Sequence, residues 1–480
     1  MLTGIEEALS ELNQLRQHDR FQLVAVYGRR GVGRSRLLRE FASSVERIFF
    51  ICGEVNSTLM LRSFSKVLLS HFGAQERFEE FDSWKKAIRF IPYMAEDKPV
   101  VIVIENYMNL FNAVPSFALN LKRLIESELH DSRLFIVLSG SFLDLKRSGF
   151  ASGDNPLSSC LTACVELKPL DYLQIARLLG NLRRDEIVTV AGILGGMPEY
   201  LAKWDAKLSV EENIVKNFLD PSAFLYNQPQ AILRDVIREP QLYNSILQTI
   251  ATGADRLSEI AKSIGESSDK TAKYIATLID LDLLVREIPV TEETRSRKAI
   301  YRINDYLSRF WYTFISPNLT AIESGGGNEL VHELILPGLE EYLRPVFVKI
   351  CMHYMKALKD AGRFEGEIER IGGWWTNDEA KDGRIDILCM GRDLLIASDC
   401  YWKGEAIGIE SLEKLVAKAR KIKARNKRYM LFSRRGFNEE LRAYALNNAK
   451  VTLVDLHGLF EVDFPKIGTP FLAGGTSRRQ

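Results

Sequence analysis

At 480 residues the chain is too long for one ordinary hydrophobic core, so three or four domains are expected. Its composition, 46% apolar and 26% charged, is that of a globular protein, and a formal charge of +1 selects no partner by net field. Six scattered cysteines without a CxxC pair argue against zinc and against a disulfide scaffold, and no apolar run approaches the ~20 residues of a membrane span. The opening "MLTGIEEALSELNQL" is an acidic amphipathic helix rather than a signal peptide. A soluble cytoplasmic protein with no membrane partner is expected.

The first informative element is "FQLVAVYG", a short apolar run ending in glycine that predicts a buried parallel strand. "RSRLLREFA" follows with helical spacing, and between them lies "GRRGVGRS", which has the spacing of the phosphate-binding loop G-x-x-x-x-G-K-[ST]. Gly28, Gly31 and Gly33 allow backbone N–H groups to converge on an anion, with the helix dipole behind them. Ser35 stands where a magnesium-binding hydroxyl belongs, but Arg34 replaces the lysine. Guanidinium is broad and planar where ammonium is compact, although it still pairs with phosphate. A plain glycine turn without a ligand, and Arg34 paired with Glu105 across an empty site, are the alternatives.

Further strands are predicted at "KPVVIVIENYMNL" and "RLFIVLSGS", the latter ending in Ser139 and Ser141. With "NPLSSCLTACVELKPL" and "GGMPEYL", this order resembles the archaeal-type P-loop ATPases related to AAA+ and STAND proteins. The resemblance rests on the loop, on Leu167–Leu170, and on Gly195, Gly196, Pro198, Tyr200 and Leu201. It implies ATP and Mg2+ as cofactors, held through Gly28, Gly31, Gly33, Arg34 and Ser35, with Ser35 and Glu105 toward the metal. In that family the second strand ends in Asp-Glu: Asp holds magnesium through water and Glu orients the attacking water. Glu105 and Asn106 occupy those two positions, and Asn106 cannot accept a proton. The family's arginine in its "PLYGR" segment aligns with Cys160 in "PLSSC", and its leading Arg and Glu with Ile5 and Ala8. These departures at charged positions point to nucleotide binding with weak or no hydrolysis. A working ATPase using Arg34 and Glu105 as substitutes is the alternative.

From Asp171 to about Pro240 the apolar spacing is helical, as a lid of that family would be. "RLSEIAKSIG" and "SDKTAKYIATLIDLDLL" then form a helix-turn-helix pattern, and "LLVREIPV", "TEETRSRK" and "AIYRI" form its wing. Lys270, Lys273, Arg295, Arg297 and Lys298 give this predicted winged helix a modest basic complement beside Glu266, Asp269, Glu292 and Glu293. "ESGGGNEL" reads as the clearest linker of the chain.

The remainder alternates a long helix, "LEEYLRPVFVKICMHYMKAL", with the strands "GEIERIGGWW", "RIDILCM", "DLLIASDCYWK", "RYMLFSR" and "VTLVDL". This order resembles the PD-(D/E)xK nuclease-like domain of unknown function found at the C-terminus of the same ATPases. The resemblance implies a metal held by Asp386 and Asp399, with Glu340 or Glu341 as further ligands and a lysine that assists water. Tyr401 stands at the lysine position, and Lys403 lies two residues further along the same strand face. Between Lys414 and Arg435 ten Lys or Arg occur without an acid. Lys414, Lys418, Lys421, Arg425 and Arg428 are the candidate nucleic-acid contacts in that run.

The expected fold is therefore α/β: a P-loop parallel-sheet core over residues 1–170, a helical lid over 171–238, a winged helix over 239–317 and a nuclease-like α/β domain over 328–465. The expected function is an ATP-binding protein with degenerate catalytic motifs and a nucleic-acid-associated regulatory role, with a metal-dependent DNA nuclease as the third reading.

Overall fold

The computed structural model describes residues 3–18, 20–43, 45–95, 98–150, 152–236, 239–376 and 383–461. The expected domain limits at 238 and 465 lie outside the described residues. Compactness divides the chain into two units, Met1–Leu170 with Met197–Ala202, and Asp171–Gly196 with the chain from Lys203 onward.

The first unit is built on five parallel strands: β1 Gln22–Gly28, β2 Glu46–Ile51, β3 Val100–Glu105, β4 Leu134–Gly140 and β5 Ala163–Leu167. Their order is β2-β3-β4-β1-β5. β3 is buried from Val100 to Ile104 and β4 from Leu134 to Ser139, the apolar runs that helices covering both faces of a parallel sheet require. One face packs against an aromatic cluster in which Trp84 stacks on Phe64 at 5.3 Å and meets Phe117 edge-on at 5.4 Å. The chain leaves β1 towards β2 on one side and crosses from β4 to β5 on the other. The order therefore reverses beside the C-terminal end of β1, where open parallel sheets bind their ligands. The β2 and β5 strands were not among the predicted elements, whereas β1, β3 and β4 fall where the apolar runs place them.

In the second unit, helices Gln241–Ala251, Leu257–Ser263 and Ser268–Asp280 lead into a two-stranded antiparallel hairpin of β6 Leu284–Glu287 and β7 Ile300–Ile303. After a 25-residue helix, Leu336–Asp360, come β8 Arg370–Trp374, β9 Ile385–Met390, β10 Leu394–Tyr401, β11 Asn426–Ser433 and β12 Val451–Asp455. They form one sheet in the order β12-β11-β10-β9-β8, antiparallel from β8 to β10 and parallel from β10 to β12.

Two expectations need correction. "ESGGGNEL" is not a linker: it is a turn between helices Leu319–Glu323 and Gly327–Leu330, with Gly325 at φ +92°. Ile322 and Val331 on its flanks are buried, and Gly327 packs so closely on Leu219 that a Cβ would lie 3.3 Å from the Leu219 Cβ. The glycines break the helix without opening the packing, so composition alone gave the wrong answer. The "GGMPEYL" segment also differs from expectation, because Met197–Ala202 packs with the first unit rather than with the helices around it.

Candidate functional site

Gly28 ends β1 where no side chain fits: a Cβ there would lie 2.6 Å from the Leu167 carbonyl oxygen of β5 and 2.9 Å from Val32 Cγ1. The loop then turns through a Val32 N–H to Arg29 carbonyl bond of 3.2 Å. Gly31 at φ +83° and Gly33 at φ +103° adopt the left-handed backbone that glycine tolerates best. Gly33 caps helix Arg34–Phe41 with no side-chain acceptor on its first N–H groups. Those donors and the positive end of the helix dipole face the end of the loop. This is the geometry of a phosphate loop.

Sheet register sets the neighbours. Val26 of β1 lies beside Ser139 of β4, and Ser139 beside Glu105 of β3, so loop, acid and hydroxyl reach one edge of the sheet. Glu105 is half-buried, Ser139 buried, and Ser35 exposed in the first turn of its helix. Asn106 is exposed and sits in the left-handed region at φ 56°, a backbone that asparagine tolerates better than glutamate does. Ser141 and Asp144 form a reciprocal cap: the Ser141 N–H donates to Asp144 Oδ2 at 2.7 Å and the Asp144 N–H to Ser141 Oγ at 3.1 Å.

Arg34 is half-buried and makes no ion pair among the described residues, with Glu105 or with any other acid. Burial lowers its pKa, and the field of Asp144, then that of Glu105, pulls it back up. Glu199 approaches the loop from Met197–Ala202: its N–H donates to the Gly31 carbonyl at 3.3 Å, and a Cβ on Gly31 would meet Glu199 Oε2 at 2.2 Å. This glycine cradle, with its uncapped helix N-terminus, fits a nucleotide phosphate. For magnesium they supply one hydroxyl and one carboxylate, and no group of three His, Cys, Asp or Glu is assembled among the described residues. Ser35 and Glu105 would hold the ion only with phosphate oxygens and water completing its shell, as magnesium commonly accepts.

In the second unit Asp386 and Asp399 come together on β9 and β10, both buried, with the Asp386 N–H 3.3 Å from Asp399 Oδ1. Arg344 contacts both Asp386 oxygens, at 3.0 and 2.9 Å, and the Cys400 N–H donates to Asp386 Oδ2 at 3.0 Å. Lys418 donates to Asp399 Oδ2 at 2.6 Å. Burial first, and Asp386 second, raise the Asp399 pKa against the pull of Lys418. The lysine on this acid is thus Lys418; Lys403 is exposed. Glu340 and Glu341 are exposed on helix Leu336–Asp360.

The basic run divides into two sets. Lys418 is held by Asp399, Lys427 donates to the Ala419 carbonyl, Arg428 is held by the Ala449 carbonyl and Glu365, and Arg434 by Asp185. Lys414, Arg420, Lys421, Lys423, Arg425 and Arg435 are exposed. On helix Ser268–Asp280 Lys270 pairs with Glu266 at 2.7 Å, and between β6 and β7 Lys298 pairs with Glu292 at 2.5 Å, so both are neutralised locally.

Sequence reasoning missed Asp144, Glu199 and Arg344, and it gave Lys418 a nucleic-acid role instead of its ion pair with Asp399. A capping-box pattern, S-x-x-D, marks Ser141 and Asp144, but nothing local marks the other two.

Residues 311–422 match a family described as archaeal and bacterial proteins of unknown function. An uncharacterized protein of Methanocaldococcus jannaschii is 26% identical over 437 residues, covering 87% of this chain and 95% of its own. Among solved structures, a Walker-type ATPase of Pyrococcus abyssi matches 65% of this chain and 95% of its own at 18% identity and a TM-score of 0.48. The ORC2 protein of Aeropyrum pernix matches 67% and 94% at 10% identity and a TM-score of 0.43. No helix among the described residues is long and apolar enough to cross a membrane. The glycine loop at the reversal of a β2-β3-β4-β1-β5 parallel sheet is the arrangement of a P-loop nucleotide-binding fold.

Proposed function

We propose that this chain binds ATP with magnesium through Gly28–Ser35 and hydrolyses it slowly or not at all, as the nucleotide-responsive part of a nucleic-acid-associated regulator. The observation that carries the reading is Arg34. A half-buried, unpaired guanidinium beside a glycine loop is costly as it stands and is relieved by a phosphate. Asn106 offers no base for the attacking water. The six exposed cations from Lys414 to Arg435 supply a surface for a phosphate backbone, and the hairpin after Ser268–Asp280 is taken as the wing of a winged helix.

The nuclease reading is less favoured. Arg344 and Lys418 already occupy Asp386 and Asp399, leaving neither carboxylate open to a metal. The test is ATP turnover by the wild type and by the Arg34→Lys/Asn106→Glu double variant. Turnover near background in the wild type, rising by about tenfold or more in the variant, supports the reading. Wild-type turnover in the ordinary ATPase range of about 1 per second would refute it.

A further inference from the structure

A cavity of ≈ 700 Å3 lies in the second unit, between β6 and β7, helix Leu336–Asp360 and the start of β9. Its volume is that of a pocket for a nucleotide-sized molecule. Five Lys and Arg side chains line it: Arg302, Arg344, Lys349, Lys356 and Arg384. Three acids face them, Glu287, Asp360 and Asp386. Arg302 is taken up by Glu287, Nε to Oε2 at 3.1 Å, and Arg344 by Asp386.

The other three cations are under-neutralised. Lys349 is half-buried, lies 5.8 Å from the centre of the Tyr306 ring and makes a long 3.4 Å contact to Asn304 Oδ1, with no ion pair among the described residues. Burial lowers its pKa, and Arg302 and Arg309 lower it further against Glu287 and Asp282. Arg384 reaches Asp386 Oδ1 only at 4.0 Å, and its Nε is buried without a hydrogen-bond partner among the described residues. Its guanidinium lies 5.5 Å from the centre of the Trp375 ring, whose Nε1 is fixed on the Lys298 carbonyl. Burial and the like charges of Arg302 and Arg344 lower its pKa. Lys356 is exposed at the cavity wall and has no ion pair among the described residues. Lys349 and Lys356 stand seven residues apart, on one face of their helix.

Converging cations that repel one another and are only partly matched by carboxylates are costly unless an anion completes them. We propose that this cavity binds a small phosphorylated ligand whose phosphate groups bridge Arg384, Lys349 and Lys356. The site is separate from the glycine loop and does not depend on hydrolysis there. A phosphate suits it because guanidinium and ammonium groups together satisfy several oxygens of one dense charge.

The test is calorimetric titration of inorganic pyrophosphate, and separately of ADP, into the full chain carrying Arg34→Ala and Ser35→Ala, so that glycine-loop binding is removed. Saturable pyrophosphate binding that weakens roughly tenfold in Arg384→Gln and in Lys349→Gln is expected. ADP binding more tightly than pyrophosphate identifies a nucleotide as the ligand class, and equal binding a ligand read by its phosphates alone. The Lys356→Gln variant, at an exposed position, carries the test if either buried change prevents folding. No saturable binding of either probe at millimolar concentration, or affinities unchanged in the folded variants, overturns the proposal.

Discussion

Lys418 and Asp399 stand 19 positions apart in sequence and meet with Nζ 2.6 Å from Oδ2, the carboxylate buried and the lysine mostly so. The pair lets a second acid lie beside Asp386, which Arg344 neutralises from helix Leu336–Asp360. Removing Lys418 strands a buried carboxylate next to another. Lys418→Met is expected to destabilise the second unit by about 3 kcal/mol, measured by urea unfolding, with Lys418→Met/Asp399→Leu recovering much of the loss. A loss below about 0.5 kcal/mol would mean that the pair is solvated and structurally idle.

The same pair fixes a pH dependence. The Asp399 carboxyl is raised by burial and by Asp386, so the folded state takes up its proton at higher pH than the unfolded chain does. Its contribution to stability is therefore full below the unfolded carboxylate range and is lost as pH rises through the folded value. Without Lys418 that value rises further. The deficit of Lys418→Met is expected to be smaller at pH 5 than at pH 8; a deficit that grows on acidification would contradict the assignment.

Asn106 owes its place to the backbone as well as to chemistry. At φ 56° it tolerates what a longer side chain resists, so Asn106→Glu is expected to cost about 1 kcal/mol in thermal or denaturant unfolding. Asn106→Gly is expected to cost less. If glutamate is accepted without loss, the left-handed backbone is not what selects asparagine.

Gly28 tests the loop itself. Its missing Cβ faces a main-chain oxygen, Leu167, which cannot rotate aside. Gly28→Ala is expected to destabilise the first unit by roughly 1–3 kcal/mol and to abolish nucleotide binding together with it. Unchanged stability would show that β5 yields easily at this point.

The exposed cations divide by prediction. The triple change Lys414→Glu, Lys421→Glu and Arg425→Glu is expected to weaken binding of a fluorescent duplex oligonucleotide uniformly across sequences and to reduce its salt dependence. Arg428→Gln, at a side chain held by Glu365 and the Ala449 carbonyl, is expected to change it little. Equal effects from both would locate the contact elsewhere.

The legible parts of the chain were those with local rules. Apolar runs ending in glycine or a polar residue gave β1, β3 and β4, and the glycine spacing gave the loop, because both signals are contained within ten residues. β2 was missed although its "RIFFI" run is apolar, since an edge strand with exposed Glu46, Arg47 and Ile51 shows only part of the signal. The acids Asp386 and Asp399 were singled out by the resemblance to a nuclease-like domain, but their cations were not. Arg344 arrives from 42 residues upstream and Lys418 from 19 downstream, separations that no periodicity encodes. Lys418 also shows why a run of charges misleads: a buried ion pair and a solvated cation are identical in sequence. Glu199 belongs to the same class, delivered to Gly31 by a segment whose neighbours pack in the other unit.

Every functional role assigned to Arg34, Ser35 and Glu105 requires that the loop still takes a nucleotide. Calorimetric titration of ATP and of ADP, with and without magnesium, into the wild type and into Ser35→Ala measures this directly. The expected result is micromolar affinity in the wild type, strengthened by magnesium and falling roughly tenfold in Ser35→Ala as the ion loses its hydroxyl ligand. Absence of heat at millimolar nucleotide, or an affinity indifferent to both Ser35 and magnesium, would contradict a nucleotide site at Gly28–Ser35.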